Sequence, residues 1–216
     1  MRGLFICVEG IDGCGKTTVA EALKRRLTAY QRPRVELVHD PGTSELGKRL
    51  RPIILDQDLD LTPTEQVLLY TTARHSLTPG IIAHLHDGGD VVADRWVLST
   101  YVYQGMLEYA DKSLIRWLHD RLVGVNPDVY IVLDVDPETG IHRKRNTDGR
   151  GGMPLDRFEV RDLEWRTRLR EAYLEAAENL GYPVVDGNQP LKQVLLDVRA
   201  ACNKNKRFRR VIKTEF

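Results

Sequence analysis

Residues 10–17, Gly-Ile-Asp-Gly-Cys-Gly-Lys-Thr, fit the spacing G-x-x-x-x-G-K-[ST], and no other segment constrains this chain so tightly. Their surroundings matter as much. Residues 4–8 form an unbroken apolar run, as in a strand buried on both faces of a sheet. From Thr17 onward Val19, Ala22, Leu23 and Leu27 recur near a 3.6-residue period until Gln31-Arg32-Pro33 ends the helix. Strand, glycine loop and helix in that order make a cradle for the phosphates of a nucleoside triphosphate. Gly10, Gly13 and Gly15 let successive amides converge on a phosphate, Lys16 is long enough to reach the β and γ phosphates, and the Thr17 hydroxyl can ligate magnesium.

The same alternation continues along the chain. Residues 35–38 read as a second strand that runs into a turn, residues 91–93, 129–133 and 184–185 are short apolar runs bordered by turn residues, and residues 62–86, 110–123, 157–180 and 190–202 carry apolar stripes with charges opposite. This predicts an α/β protein of three layers, a P-loop NTPase fold whose central parallel sheet of about five strands is flanked by helices, in one domain over residues 1–203. A composition of 42% hydrophobic and 29% charged residues excludes a disordered tail protein, and a net charge of +1 excludes a whole-chain field aimed at nucleic acid or an anionic membrane. Residues 204–216 hold six of the 32 basic residues and one of the 31 acidic ones, which leaves the body at −4. This tail is read as a solvated appendage, with contact to an anion or to nucleic acid as the alternative. Cys7, Cys14 and Cys202 are odd in number and lack C-x-x-C spacing, which argues against a disulfide framework or a structural zinc site and points to a reducing, cytoplasmic setting. No stretch approaches the ~18 apolar residues of a membrane span. Residues 143–156, RKRNTDGRGGMPLD, have almost no apolar content, and are read either as a surface loop or as a lid over an anionic ligand.

The glycine loop alone does not separate kinases from other nucleotide-binding proteins. There is no N-K-x-D segment, and VYIVLD at 129–134 lacks the D-x-x-G of GTPases; helicases and motors need a second subdomain or ring interface for which one small sheet leaves no chain. Six segments, in order, resemble those of the thymidylate kinase family, nucleoside monophosphate kinases that transfer the γ-phosphoryl group of ATP to dTMP. FICVEGIDGCGKTT (5–18) is similar to the opening strand and phosphate loop, DPG with Leu50-Arg51 to E-P-G-G-T...I-R, and Tyr70-Thr71-Thr72-Ala73-Arg74 to F-x-x-x-R. DRWVLSTYVYQG (94–105) is similar to D-R-[YFH]-x-x-S-x-x-A-Y-Q-G, LDVDPETG (133–140) to L-D-V-x-P-E-x-G, and residues 155–159 to L-D-R-I-E. The resemblance spans about Leu4 to about Val198.

Tyr70 and Arg74, four apart on a predicted helix, share one face and offer an aromatic plate beside a planar donor; core packing for the tyrosine and a solvated charge for the arginine are the other readings. The resemblance implies that the pair stacks on thymine and bonds its O4. It further implies that Arg95 and Arg51 clamp the acceptor phosphate, that Asp12 and Asp94 lie near the metal and the attacking phosphate, and that Tyr103, with Ser99 and Gln104 beside it, fills the space of a 2'-hydroxyl. Thr18 falls to the ATP side by the same argument, Gln189 to the adenine, and Thr17 and Asp94 to magnesium. Because Gly13 stands where some members carry a loop arginine, the lid is expected to supply that cation. Arg150 is the candidate, with Arg145 and Arg143 as rivals, since this lid has two residues more than R-G-x-L-D-R. His39-Asp40 replaces the usual Arg-Glu. The expectation is a magnesium-dependent thymidylate kinase using ATP, homodimeric as the family usually is. A kinase for another deoxypyrimidine monophosphate, such as a 5-substituted dUMP, and a non-catalytic ATP-binding regulatory domain are the alternatives.

Overall fold

A computed structural model describes residues 2–30, 32, 34–147 and 156–212. Its five strands are β1 (Phe5–Gly10), β2 (Val35–His39), β3 (Asp90–Asp94), β4 (Val129–Asp134) and β5 (Val184–Asp186), all parallel in the order β2-β3-β1-β4-β5. Every residue of β1 and β3 is buried, which is why those runs are continuous in apolar residues where a half-exposed strand would alternate. Helices cover both faces: α1 (Lys16–Ala29), α2 (Glu45–Leu55), α3 (Pro63–His86), α4 (Val97–Thr100), α5 (Lys112–Leu118), α6 (Pro137–Thr147), α7 (Leu163–Leu180), α8 (Leu191–Lys204) and α9 (Lys206–Val211). The expected three-layer fold is present. Among the described residues no helix is long and apolar enough to cross a membrane.

Strand order positions the site. The chain leaves β1 toward β2 on one side and leaves β3 toward β4 on the other, so the carboxyl ends of these neighbours open a crevice, the place where parallel sheets bind ligands. β1 ends there in the glycine loop and β3 in Asp94-Arg95.

Several elements differ from expectation. Residues 45–55 form a helix, capped by the Ser44 hydroxyl on Gly47 N and carrying Pro52 inside. Helix α4 widens into a π-helical turn over Tyr101–Leu107, and α5 does so over His119–Val123, which breaks the 3.6 period. The helix expected from 157 starts at 163, where Asp162 caps it by accepting from Trp165 N; residues 156–159 are a turn in which Asp156 Oδ1 accepts from Phe158 N and Glu159 N. Residues 143–147, read as irregular, belong to α6. Within the basic tail, α9 is packed: Phe208 is fully buried, and Arg207 donates to the carbonyls of Arg2 and Gly3. Cys7, Cys14 and Cys202 are free thiols, all buried.

Candidate active site

Backbone geometry shapes the phosphate loop. Gly13 has φ +76°, and a Cβ on it would stand 2.0 Å from the carbonyl oxygen of Gly140 in α6, while a Cβ on Gly140 would stand 2.6 Å from Asp12 O. Loop and helix meet through bare backbone. A side chain at position 13 has no room while α6 stands where it does. Lys16 opens α1 nearly buried, its Nζ donating to Ile11 O at 2.8 Å. Thr17 Oγ1 donates to Asp94 Oδ2 at 2.6 Å, and His39 Nδ1 lies 3.4 Å from the same oxygen. Burial pushes the Asp94 carboxyl up, yet the His39 contact, the charges of Lys16 and Arg95 and the Thr17 hydroxyl bring it down to about 2.

Arg95, the next residue, has φ +73°, a conformation rare outside glycine and found where surrounding contacts over-determine it. The contacts are on hand. Its guanidinium donates to Asp12 Oδ1 at 2.5 Å, Ser99 Oγ at 3.0 Å, Tyr173 OH at 3.1 Å and Gly10 O at 3.2 Å. Lys144 Nζ, from α6, reaches Asp12 Oδ2 at 3.0 Å and Glu159 Oε1 at 2.7 Å. Although burial works against it, these cations hold the Asp12 carboxyl well below the usual range.

A second cavity adjoins the loop, lined by Tyr70, Arg74, Arg51, Ser99, Thr100, Tyr103, Gln104 and Phe158 among others. Arg74 is 2% exposed, which removes the solvated-charge reading; Nε donates to Asp40 Oδ2 at 2.5 Å and Nη2 to Thr100 Oγ1 at 2.9 Å. Tyr70 is half-buried on the cavity wall, and Arg51 Nη1 donates to Pro41 O at 2.8 Å. The Tyr103 ring stands edge-on to Phe158, with centroids 5.0 Å apart, and under the Arg95 guanidinium. Gln104 is buried and donates to Gln66 Oε1.

The cavity over the loop is lined by Gly13, Gly15, Lys16, Thr17, Thr18, His39 and Asp94, and Asp12, Asp40, Pro41, Arg51, Arg95 and Lys144 line both cavities. Gln189 lines neither; its amide donates to Asp186 O and Asp197 Oδ2. Arg150 lies outside the described residues. Of its rivals, Arg143 donates to Gly187 O on the wall of the loop cavity and Arg145 is exposed. Lys144 between them, not singled out by the sequence reading, points at the junction. Glu9 and Tyr173 were missed too. The signal for Glu9 was an acid closing a strand buried on both faces; Tyr173 gave none, being one apolar-face residue of a long helix.

Comparison with known proteins bears on this geometry. The family model described as thymidylate kinase matches residues 8–198. A protein named thymidylate kinase from Carboxydothermus hydrogenoformans is 34% identical over 201 residues, 92% of this chain and 96% of that protein. Proteins of the same name from Chlamydia caviae and Nitratidesulfovibrio vulgaris are 35% and 38% identical, covering 92% and 90% of the chain and 96% and 90% of their own lengths. The non-catalytic reading is set aside by these matches. A family model over most of the chain, relatives above 30% identity along nearly their whole lengths, and a parallel sheet opening where the glycine loop lies agree: the chain belongs to the thymidylate kinase family, and so to the nucleoside monophosphate kinases.

Proposed function

We propose that the protein transfers the γ-phosphoryl group of ATP to dTMP, giving ADP and dTDP, with Mg²⁺ bound alongside the triphosphate. The observation that carries this reading is the pair of cavities joined by shared residues, three of them cations: Arg51, Arg95 and Lys144. A donor phosphate over the loop and an acceptor phosphate in the second cavity would meet there. Phosphoryl transfer needs little covalent help, so the work of the chain is to align the two nucleotides and to neutralise charge. Lys16 and the loop amides hold the donor, Arg95 and Arg51 hold the acceptor phosphate, and the lid side supplies Lys144 and Arg150. Tyr70 stacks on the base, Arg74 donates to its O4, and Tyr103 occupies the space of a ribose 2'-hydroxyl.

The Thr17 hydroxyl and the Asp94 carboxylate, 2.6 Å apart, are oxygen donors of the kind magnesium takes when phosphates and water complete its shell. When bound, the ion spreads the β and γ phosphate charge. We also infer a homodimer, supported by the exposed apolar side chains Leu68 and Ile82 on α3, with Leu122 near Ile82, and a cytoplasmic setting, supported by the three free thiols. The test is ADP release from ATP with a panel of acceptors: dTMP, dUMP, 5-hydroxymethyl-dUMP, dCMP and UMP. dTMP is expected to be fastest. A faster 5-substituted dUMP would change the assigned acceptor, and no ADP release with any of them would overturn the transfer.

A further inference from the structure

Glu9 is fully buried, precedes Gly10 at the end of β1, and has no part in the reaction as described. Its Oε1 accepts the backbone amides of Trp96 at 2.7 Å and Ser99 at 3.2 Å; its Oε2 accepts the Ser99 hydroxyl at 2.6 Å and the Tyr173 hydroxyl at 3.3 Å. Helix α4 has Trp96 at its N-cap and no cap from its own side chain there. A carboxylate from the neighbouring strand therefore does the capping, directly after the strained Arg95.

The polarity of this network is set from one end. An ionised carboxylate only accepts, so the hydroxyl hydrogen of Ser99 turns toward Glu9, and that of Tyr173 toward Glu9 or Ser99. Their lone pairs are left for Arg95 Nη1, which donates to Ser99 Oγ at 3.0 Å and to Tyr173 OH at 3.1 Å. We propose that Glu9 is a positioning residue for the acceptor-phosphate clamp: through Ser99 and Tyr173 it fixes the direction in which Arg95 presents its guanidinium. This rests on the reading of Arg95 as that clamp. Burial raises the Glu9 carboxyl on balance, against the Arg95 charge and the bonds from Ser99 and Trp96, and it is the four donors aimed at its two oxygens that favour the ionised form.

Thymidine and dTMP differ only in the phosphate, so the ratio of their dissociation constants isolates the clamp. Glu9→Gln keeps the size of the side chain but presents an amide donor, which forces a hydroxyl hydrogen back toward Arg95. By titration calorimetry it should weaken dTMP by about tenfold or more while thymidine and ATP stay within about twofold of wild type. Equal weakening of thymidine and dTMP, or no change in either, would overturn the proposal. Tyr173→Phe removes one hydroxyl without loss of bulk and covers the case in which Glu9→Gln does not fold. It should shift the ratio in the same direction by about threefold or more, and an unchanged ratio overturns the proposal. Arg95→Ala separates the two layers of the argument. If it leaves the ratio at the wild-type value, the clamp reading fails and this inference with it; if it collapses the ratio while Glu9→Gln does not, only the role of Glu9 fails.

Discussion

Replacing Arg74 by glutamine removes a guanidinium whose nitrogens have different duties. Nε is committed to Asp40 and Nη2 to Thr100, whereas Nη1 has no partner among the described residues on a side chain that lines the acceptor cavity. In the proposed function base reading would fall to Nη1. A donor facing O4 accepts thymine and meets the amino group of cytosine donor to donor, a difference of about 1–3 kcal/mol, so the wild type should prefer dTMP to dCMP by about tenfold or more. The substitution has a second effect. Asp40 is buried, and its Oδ1 already lacks a hydrogen-bond partner, so without Arg74 its charge is balanced only by the remoter Arg51 and Arg95. Breaking a buried pair from one side costs about 3–5 kcal/mol, a large part of a domain stability of about 5–15 kcal/mol. Asp40→Asn in the same chain removes the orphaned charge and should restore about half of that loss or more. Burial already pushes the Asp40 carboxyl up, and losing Arg74 pushes it further. The folded single variant then holds its proton to higher pH than the unfolded chain, so its deficit should narrow as pH falls from 8 to 5.5. Urea melts of the wild type, Arg74→Gln, Asp40→Asn and the double variant at both pH values measure the pair, and ADP release with dTMP and dCMP in the double variant measures base reading. Superimposed melts of wild type and Arg74→Gln would refute the energetic argument. A dTMP preference that survives in the double variant would refute the role of Arg74 in reading the base.

Lys16→Ala should lower kcat about a hundredfold or more with an unchanged circular dichroism spectrum, because it removes charge from phosphates that gain charge in the transition state; near-normal turnover in the folded variant contradicts this. Lys144→Met should reduce kcat more than Arg145→Met does, since Lys144 reaches the junction of the cavities and Arg145 is exposed, and the opposite order in steady-state kinetics would return the role to the arginine. His119, bonded through Nε2 to Asn126, is pushed below the ordinary histidine value by burial. The folded state thus resists a proton that the unfolded chain accepts, and stability, complete above about pH 6.5, should fall as pH drops toward the folded value. His119→Gln should flatten that slope in denaturant melts, and identical slopes would show that another group titrates.

What could be read from the sequence follows the range of the forces involved. The three inner strands were legible because burial on both faces makes runs such as residues 129–133 uniformly apolar, the half-exposed edge strands β2 and β5 because turn residues border their short valine-rich segments, and the phosphate loop because its glycines, Lys16 and Thr17 act within eight neighbouring residues. Helix α3 was legible almost to the residue from the apolar stripe over residues 62–86, and in the structure a capping box between Thr62 and Glu65 fixes its start. Helix α2 was not read, because Pro52 argues locally against it. The π turn at Tyr101–Leu107 is invisible to a 3.6-residue period. In the site, Tyr70 and Arg74 could be paired because a helix brings residues four apart together. Glu9, Ser99 and Tyr173 come from β1, α4 and α7, and only the packed sheet joins them. Lys144 is not distinguished from Arg143 and Arg145 by the sequence, and helix phase alone turns Arg143 and Lys144 to the loop cavity and leaves Arg145 exposed.

The contact between Gly13 and Gly140 has a historical side. Each position limits the other: bulk added to the loop displaces α6, and bulk added to α6 displaces the loop. If a lid cation supports transfer as proposed, one exchange at position 13 cannot move it to the loop, because the first step drives a Cβ into the Gly140 carbonyl. The route has to pass through a retreat of α6, which also carries Lys144 away from Asp12. On the proposed reading, the side from which a cation reaches the transferred group is therefore set by positions 13 and 140 together.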